Sequence, residues 1–479
     1  MKKLTIYLLL LIIVAVAFYA RLYKIDNPIA DWHAWRQADT AAVSRSFLKE
    51  GFNPFIPKYD DMSGVAQDPV PNPGRYRFVE FPIYNSIVYF VYLITGDTHE
   101  RIPRLVSVFF SIGSLIFIYL IGKKYWGEVA GILSAALFAT LPYAVFYSRV
   151  VLPEPSLVFY CLGMFYAVGL WIENNTKNRL LTAVIFTALA FLTKPFAIFY
   201  LMPHIYSFRI KEGRWWPIPK CYLYYILLSF TPFILWRLWI LQHPEGIPAS
   251  NWLLNGNGIR FRPAFFKWIV GERFGREILG VGGVILLALG GLLKPKQGEG
   301  WTLHLLLLSS LLYLVVFATG NVQHDYYQYL IAPVLILFTV RGFMLLFTTI
   351  PQFIPRYITI PVALFLLVLT IYLPWNEVKG LYQINNGIIV EAGHRADDIL
   401  PKNAKVVAPY NGDTSFLYYV NRPGWAFLAY PIEDLVKNYG ITHYVSVNFD
   451  DQTNKIIKKY KVVEKTEKYV IIDVTKLSL

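Results

Sequence analysis

Residues 31–45 read DWHAWRQADTAAVSR, which places Asp31, His33, Arg36, Gln37, Asp39 and Arg45 within one short stretch directly after an apolar run. A carboxylate in such a place can take the proton of an attacking hydroxyl, and an arginine can hold a phosphate through parallel N–H bonds. Further ionisable residues recur beside later apolar runs. Glu80 stands in RFVEFPIY, Arg101 and Arg104 in ERIPRLV, and Arg149 and Glu154 in YSRVVLPEPS. Lys194 stands in LTKPF, and His324 with Asp325 in QHDYYQY. Ionisable groups at the edge of hydrocarbon are costly and mark work to be done. A pocket for a phosphate or pyrophosphate would account for the cations.

Each residue also has a plainer reading. Asp39 can cap the helix TAAVSRSFLKE, which Gly51 would end. Glu154, between Pro153 and Pro155, fits the first turn of a helix, where the dipole favours an acid. Lys194 can snorkel to the membrane surface, and His324 can be an ordinary loop histidine. The many Trp and Tyr suit an interfacial belt. The two cysteines, Cys161 and Cys221, lie in or beside apolar runs without paired spacing, so they read as small buried residues.

The elements that must position these residues are membrane helices. The chain has 479 residues, 56% of them hydrophobic, and a mean hydropathy of +0.43. Eleven apolar runs are long enough to cross or nearly cross a bilayer: 4–20, 104–122, 128–147, 156–172, 180–193, 195–208, 220–240, 278–293, 301–318, 328–347 and 357–373. The first has no small-x-small cleavage site and reads as a retained span. A shorter segment, 81–95, carries Asn85 and Ser86 and suits an interfacial helix. With that segment not crossing, the connections MKK, GKKYWG, ENNTKNR, RIKEGRWWPIPK, KPKQGEG and TTIPQFIPRY share one side, and every one carries Lys or Arg. The positive-inside tendency then predicts a cytoplasmic N-terminus and an outer C-terminus in a multi-pass plasma (inner) membrane protein. The net charge of +14 is thereby explained by topology, and no basic aromatic-interleaved stripe suggests nucleic acid. The sequon NNT at 174–176 falls on the inner side. After Trp375 the composition changes. AKVVAPY, HYVSVNF, YKVVEK and KYVIIDV read as strands and PIEDLVKNYG as a helix, so 376–479 is expected to be a small soluble α/β domain outside the membrane. Residues 1–375 form the expected transmembrane domain, with a first outer loop at 21–103.

No P-loop, GxGxxG, HExxH or GxSxG occurs. The segments EFPIYNSIVYF, RIPRLVSVFF, YSRVVLPEPSLVF, ALAFLTKPFAIFYLMP and HDYYQYLIAPVL, in that order, resemble the GT-C glycosyltransferases that use polyprenyl-phosphate sugars. Within that group it resembles the dolichyl-phosphate-mannose–protein mannosyltransferase superfamily (glycosyltransferase family 39), which includes aminoarabinose transferases. The string WRQADTAAVSR is similar to a bacterial subgroup of that family. The resemblance implies a GT-C fold and inverting transfer of a hexosyl or pentosyl group from a lipid phosphate to a hydroxyl or phosphate of a glycan, lipid or protein. On this reading Asp39 and Glu154 are the catalytic acids, and Lys194, Arg101 and Arg104 meet the donor phosphate. His33, Arg36, Gln37, Glu80, Arg149, His324 and Asp325 complete the candidate substrate site. Relatives often carry adjacent Asp-Glu in the first loop, whereas Asp39 is a lone acid six positions before Arg45, so Asp31 and Glu80 compete for the role of base. No cofactor is implied; the scattered acids could bind a divalent metal, but no ligand spacing demands one. The other class to weigh is a transporter or flippase for a lipid-linked glycan. That would place its ionisable groups near the bilayer midplane rather than at the rim, and would often show paired halves, which are absent here.

Overall fold

Apolar helices dominate because a chain in hydrocarbon must satisfy every backbone N–H and C=O within its own segment. The structure, a computed structural model, describes residues 3–65, 70–213, 219–295 and 299–478. The first two residues of MKK and parts of RIKEGRWWPIPK and KPKQGEG, three of the basic connections, lie outside them. Five described helices are long and apolar enough to cross a membrane: Lys3–Arg21, Arg101–Trp126, Glu154–Glu173, Lys220–Ile240 and Arg356–Leu381. A sixth candidate is the pair Pro263–Ile278 and Gly280–Leu292, bent by 113°. Shorter apolar helices cover Ile83–Thr95, Glu128–Thr140, Thr302–Val316 and Ala332–Thr348.

Several expected runs are broken for local reasons. The run 128–147 becomes Glu128–Thr140 and Pro142–Tyr147, because Pro142 has no N–H to continue the helix and holds Leu141 extended. The run 195–208 is a 3-10 turn at Pro195–Ala197, then Ile198–Leu201 and Pro203–Glu212.

The chain packs as two compact units. The first comprises residues 1–25, 105–236 and 250–380. Within it the helices Gly280–Leu292 and Ala332–Met344 cross on glycine: a Cβ at Gly290 would stand 2.0 Å from the Phe338 carbonyl oxygen, and one at Gly342 would stand 1.9 Å from that of Leu286. Arg21 is fully buried in this unit and spends its guanidinium on Ser111 Oγ (2.8 Å), Ser148 Oγ (2.6 Å) and the carbonyls of Ala17 and Phe138.

The second unit comprises residues 26–104, 237–249 and 381–479, so the tail shares it with most of the first loop. Strands form within all four expected runs, at β1 (Val406–Val407), β3 (His443–Ser446), β4 (Tyr460–Lys465) and β5 (Val470–Leu477), and β2 (Gly424–Trp425) is added. The sheet order is β2-β1-β3-β5-β4, parallel from β2 to β3 and antiparallel beyond. The first loop runs along β2: Gly424 N–H donates to the Asp60 carbonyl (2.9 Å) and the Met62 N–H donates back to Gly424 (2.6 Å). Only glycine fits there, since a Cβ would stand 1.9 Å from the Val406 carbonyl oxygen. Met62, Trp425, Leu435, Tyr444 and Ile472 share the core of this unit.

Residues 31–45 are mostly helix. The helix Ala34–Glu50 starts at His33, which takes a left-handed conformation (φ 54°, ψ 39°), and ends at Gly51 (φ 96°). Asp39 therefore lies inside the helix and is not its N-cap, which corrects the expectation from spacing; the helix begins six residues earlier, after the turn Asp31–Ala34. Helix Ile83–Thr95 lies beside it, with Asn85 Nδ2 donating to the Thr40 carbonyl (2.6 Å). Its other face leaves Phe90, Leu93 and Ile94 exposed.

Candidate functional site

In the first unit the ionisable residues meet at helix ends. Pro195 disfavours a helical conformation at the preceding residue, so Lys194 leaves helix Lys177–Thr193 in extended form (φ −155°, ψ 138°). Glu154 opens helix Glu154–Glu173 after Pro153, in the first turn as its sequence predicts. The two side chains pair: Lys194 Nζ donates to Glu154 Oε1, and both residues are buried. Glu154 Oε2 is buried without a hydrogen-bond partner among the described residues. The ammonium also stands 5.6 Å from the ring of Tyr327 and 5.9 Å from that of Phe196.

Tyr327 leads to the QHDYYQY segment. His324 packs its ring against Trp252 (5.6 Å) and Tyr327 (5.7 Å). Asp325 is buried, and its carbonyl accepts from Tyr143 Oη (2.6 Å). The Asp325 carboxyl neighbours that of Glu277, which pairs with Arg273 at 2.7 Å. Arg149, fully buried, donates to the Lys24 carbonyl (2.8 Å) and lies over the Phe146 ring. Tyr327, Tyr143, Arg273 and Glu277 were not anticipated. The i,i+4 spacing of Arg273 and Glu277 in GERFGRE was the available signal, since such a pair shares one helix face.

The second unit binds its charges to one another along helix Ala34–Glu50. Arg36 faces both oxygens of Glu80 at 3.1 Å. Gln37 donates to Asp31 (2.7 Å), whose other oxygen takes Arg104 (3.0 Å). Arg104 is fully buried and also donates to the Asn27 carbonyl (3.2 Å). Asp39 accepts from Arg77 (2.7 Å) and from Thr414 Oγ1 (2.7 Å). Arg45 pairs with Asp60 at 2.5 Å and stacks over Tyr418 at 4.0 Å. Arg101, by contrast, is exposed and pairs with Asp97 at 3.5 Å. His33 packs against Trp32 at 4.7 Å. Burial pushes the Asp61 carboxyl up to about 6; Ser63 Oγ and N–H both donate to it, and the charge of Asp39 adds to the rise. Lys194, Glu154, Arg149, His324 and Asp325 thus belong to one unit, and Asp31, His33, Arg36, Gln37, Asp39, Glu80, Arg101 and Arg104 to the other. Among the described residues no three or more His, Cys, Asp or Glu side chains gather as a metal site.

Residues 80–239 match the family described as dolichyl-phosphate-mannose-protein mannosyltransferase. No curated protein matches the chain. Among solved structures, ArnT from Cupriavidus metallidurans bound to undecaprenyl phosphate is similar at TM-score 0.62 and 11% identity, over 99% of this chain and 98% of that one. The oligosaccharyltransferase of Archaeoglobus fulgidus is similar at TM-score 0.61 and 11% identity, over 93% of this chain and 70% of that one. Arabinofuranosyltransferase AftD from Mycobacteria is similar at TM-score 0.56 and 12% identity, over 97% and 40% of the two chains. The long apolar helices and the short broken ones are thus those of a GT-C-fold chain, whose residues 80–239 match the dolichyl-phosphate-mannose–protein mannosyltransferase family.

Proposed function

We propose that this chain is an inverting glycosyltransferase that moves a hexosyl or pentosyl group from a polyprenyl-phosphate donor to an acceptor hydroxyl or phosphate at the outer face of the plasma membrane. The observation that carries the reading is the buried Lys194, held at a proline-terminated helix end and faced by an acid and two aromatic rings. The fold supports it, because ArnT, of the same architecture, is seen with undecaprenyl phosphate. A related archaeal oligosaccharyltransferase is seen with dolichol-phosphate and an inhibitory peptide.

The chemistry asks little of the protein beyond charge and position. The acceptor oxygen attacks the anomeric carbon while the bond from that carbon to the phosphate oxygen breaks. The electron pair leaves on the phosphate, where Lys194 offsets the gathered charge. The acceptor proton goes to a carboxylate. Asp39 is the proposed base, with Asp31 and Glu80 as its competitors. Arg101 and Arg104 are proposed as further phosphate contacts.

The test is binding of undecaprenyl phosphate to the purified chain in lipid nanodiscs. Lys194→Ala should weaken it by roughly 2–3 kcal/mol, as for loss of a charge-assisted contact. Unchanged affinity in a folded variant would leave Lys194 as a structural partner of Glu154 and remove the support for the reading.

A further inference from the structure

In the transfer proposed above, the same phosphate is bound twice, first in the donor and then in the product. The donor is a phosphodiester with a single negative charge. The product is a phosphomonoester, which carries about −1.5 to −2 near neutral pH. A lysine that only attracted phosphate would therefore hold the product more tightly than the donor, and turnover would stall on release.

The Lys194 site contains a competitor. Glu154 is the first residue of helix Glu154–Glu173 and is flanked by Pro153 and Pro155, so its backbone position is well fixed. Only Oε1 engages Lys194; Oε2 is buried and has no hydrogen-bond partner among the described residues. A buried acceptor left unmade carries a penalty. The pair is thus sufficient to balance a buried ammonium but is not optimised as a permanent structural bridge. A phosphate presents more acceptor oxygens than this one carboxylate oxygen. Throughout an exchange of partner, the Tyr327 and Phe196 rings near the ammonium remain available as neighbours.

Resting on the reading of Lys194 as the phosphate-binding cation, we propose that Glu154 is an exchangeable counter-ion, giving Lys194 up to the carrier phosphate and reclaiming it as the product leaves. Glu154 then acts through Lys194 as a positioning residue and sets how long the phosphomonoester stays.

The experiment measures affinity and dissociation of farnesyl phosphate, a short polyprenyl monophosphate, on the full chain in nanodiscs. Glu154→Gln should bind it roughly tenfold more tightly, with most of the change in the dissociation rate. Glu154→Asp keeps the charge but reaches less far, so it should shift both quantities in the same direction by less. Should Glu154→Gln fail to fold, the Asp variant decides. Equal or weaker binding in the folded variants, with binding lost in Lys194→Ala, would overturn the exchange and leave Glu154 as a fixed support. Binding retained in Lys194→Ala would instead overturn the phosphate reading of Lys194, and this inference with it.

Discussion

Asp39 shows how far a residue can be read from its neighbours in sequence. Its type and its place after an apolar run were visible; its partners were not. Thr414 is 375 positions away, and Arg77 lies in the far part of the same loop. Those partners change what a substitution does. Asparagine would keep an acceptor for Thr414 but remove the carboxylate that pairs with the largely covered Arg77 side chain, leaving Asp61 as its acidic neighbour. Asp39→Asn should therefore destabilise the chain by on the order of 3 kcal/mol, seen as a lower Tm in detergent. A variant with unchanged Tm and transfer reduced roughly 100-fold would instead support Asp39 as the base. Asp61 gives a pH test in the same unit. Its folded-state carboxyl titrates at about 6 rather than the usual 3.8 because it is buried. The folded state thus holds its proton more firmly than the unfolded chain, so this contribution to stability is present at low pH and lost as pH rises from about 4 through 6. Asp61→Asn should raise Tm more at pH 7.5 than at pH 5; an equal change at both would refute the assignment.

At the scale of elements, the apolar runs were legible because hydrocarbon length acts locally, whereas the breaks at Pro142 and Pro203 fell inside runs that read as continuous. The beginning of helix Ala34–Glu50 was not, because polar residues that look like a loop are paired there: Arg36 with Glu80 and Gln37 with Asp31. The bent pair Pro263–Ile278 and Gly280–Leu292 was read as a loop and one span, since charged residues interrupt its first half. Gly290 and Gly342 set how closely two helices cross. Without hydrophobic drive between helices in lipid, such close packing supplies much of the association. Gly342→Ala would place a methyl 1.9 Å from the Leu286 carbonyl oxygen, so the helices must part. The expected result is a loss of about 1–3 kcal/mol, the usual range for overpacking, measured as an earlier thermal transition in detergent. Gly387→Ala is the control, because a Cβ there meets nothing within 4 Å.

At the scale of the molecule, the order of charged loops along the chain carries its orientation across the bilayer. The basic connections GKKYWG and ENNTKNR flank expected spans on one side, whereas Glu154 and Lys194 sit at the other ends of theirs. Loop Lys and Arg are retained on the cytoplasmic side during insertion, which predicts that residues 122–127 and 173–179 face the cytoplasm and that residues 381–479 face outward. That orientation also puts the ionisable cluster of the first unit at the outer end of its helices, where a lipid-borne sugar is met in the proposed reaction. The two native cysteines are free, Cys161 buried and Cys221 partly so, and can be replaced by serine or alanine to give a silent background. Single cysteines are then placed at Asn178 and Lys437, both exposed, to report on the two sides. In intact cells a membrane-impermeant maleimide should label Lys437→Cys and leave Asn178→Cys unlabelled until the membrane is permeabilised. The reverse pattern would turn the chain over and place Lys194 and Glu154 at the cytoplasmic face. Transfer would then have to draw on donors in the inner leaflet, and the outer-face reaction proposed here would fail even if the Lys194 phosphate contact held. Labelling of both positions in intact cells would mean that an odd number of the short segments between them does not cross, with 81–95 unaffected because it precedes both probes.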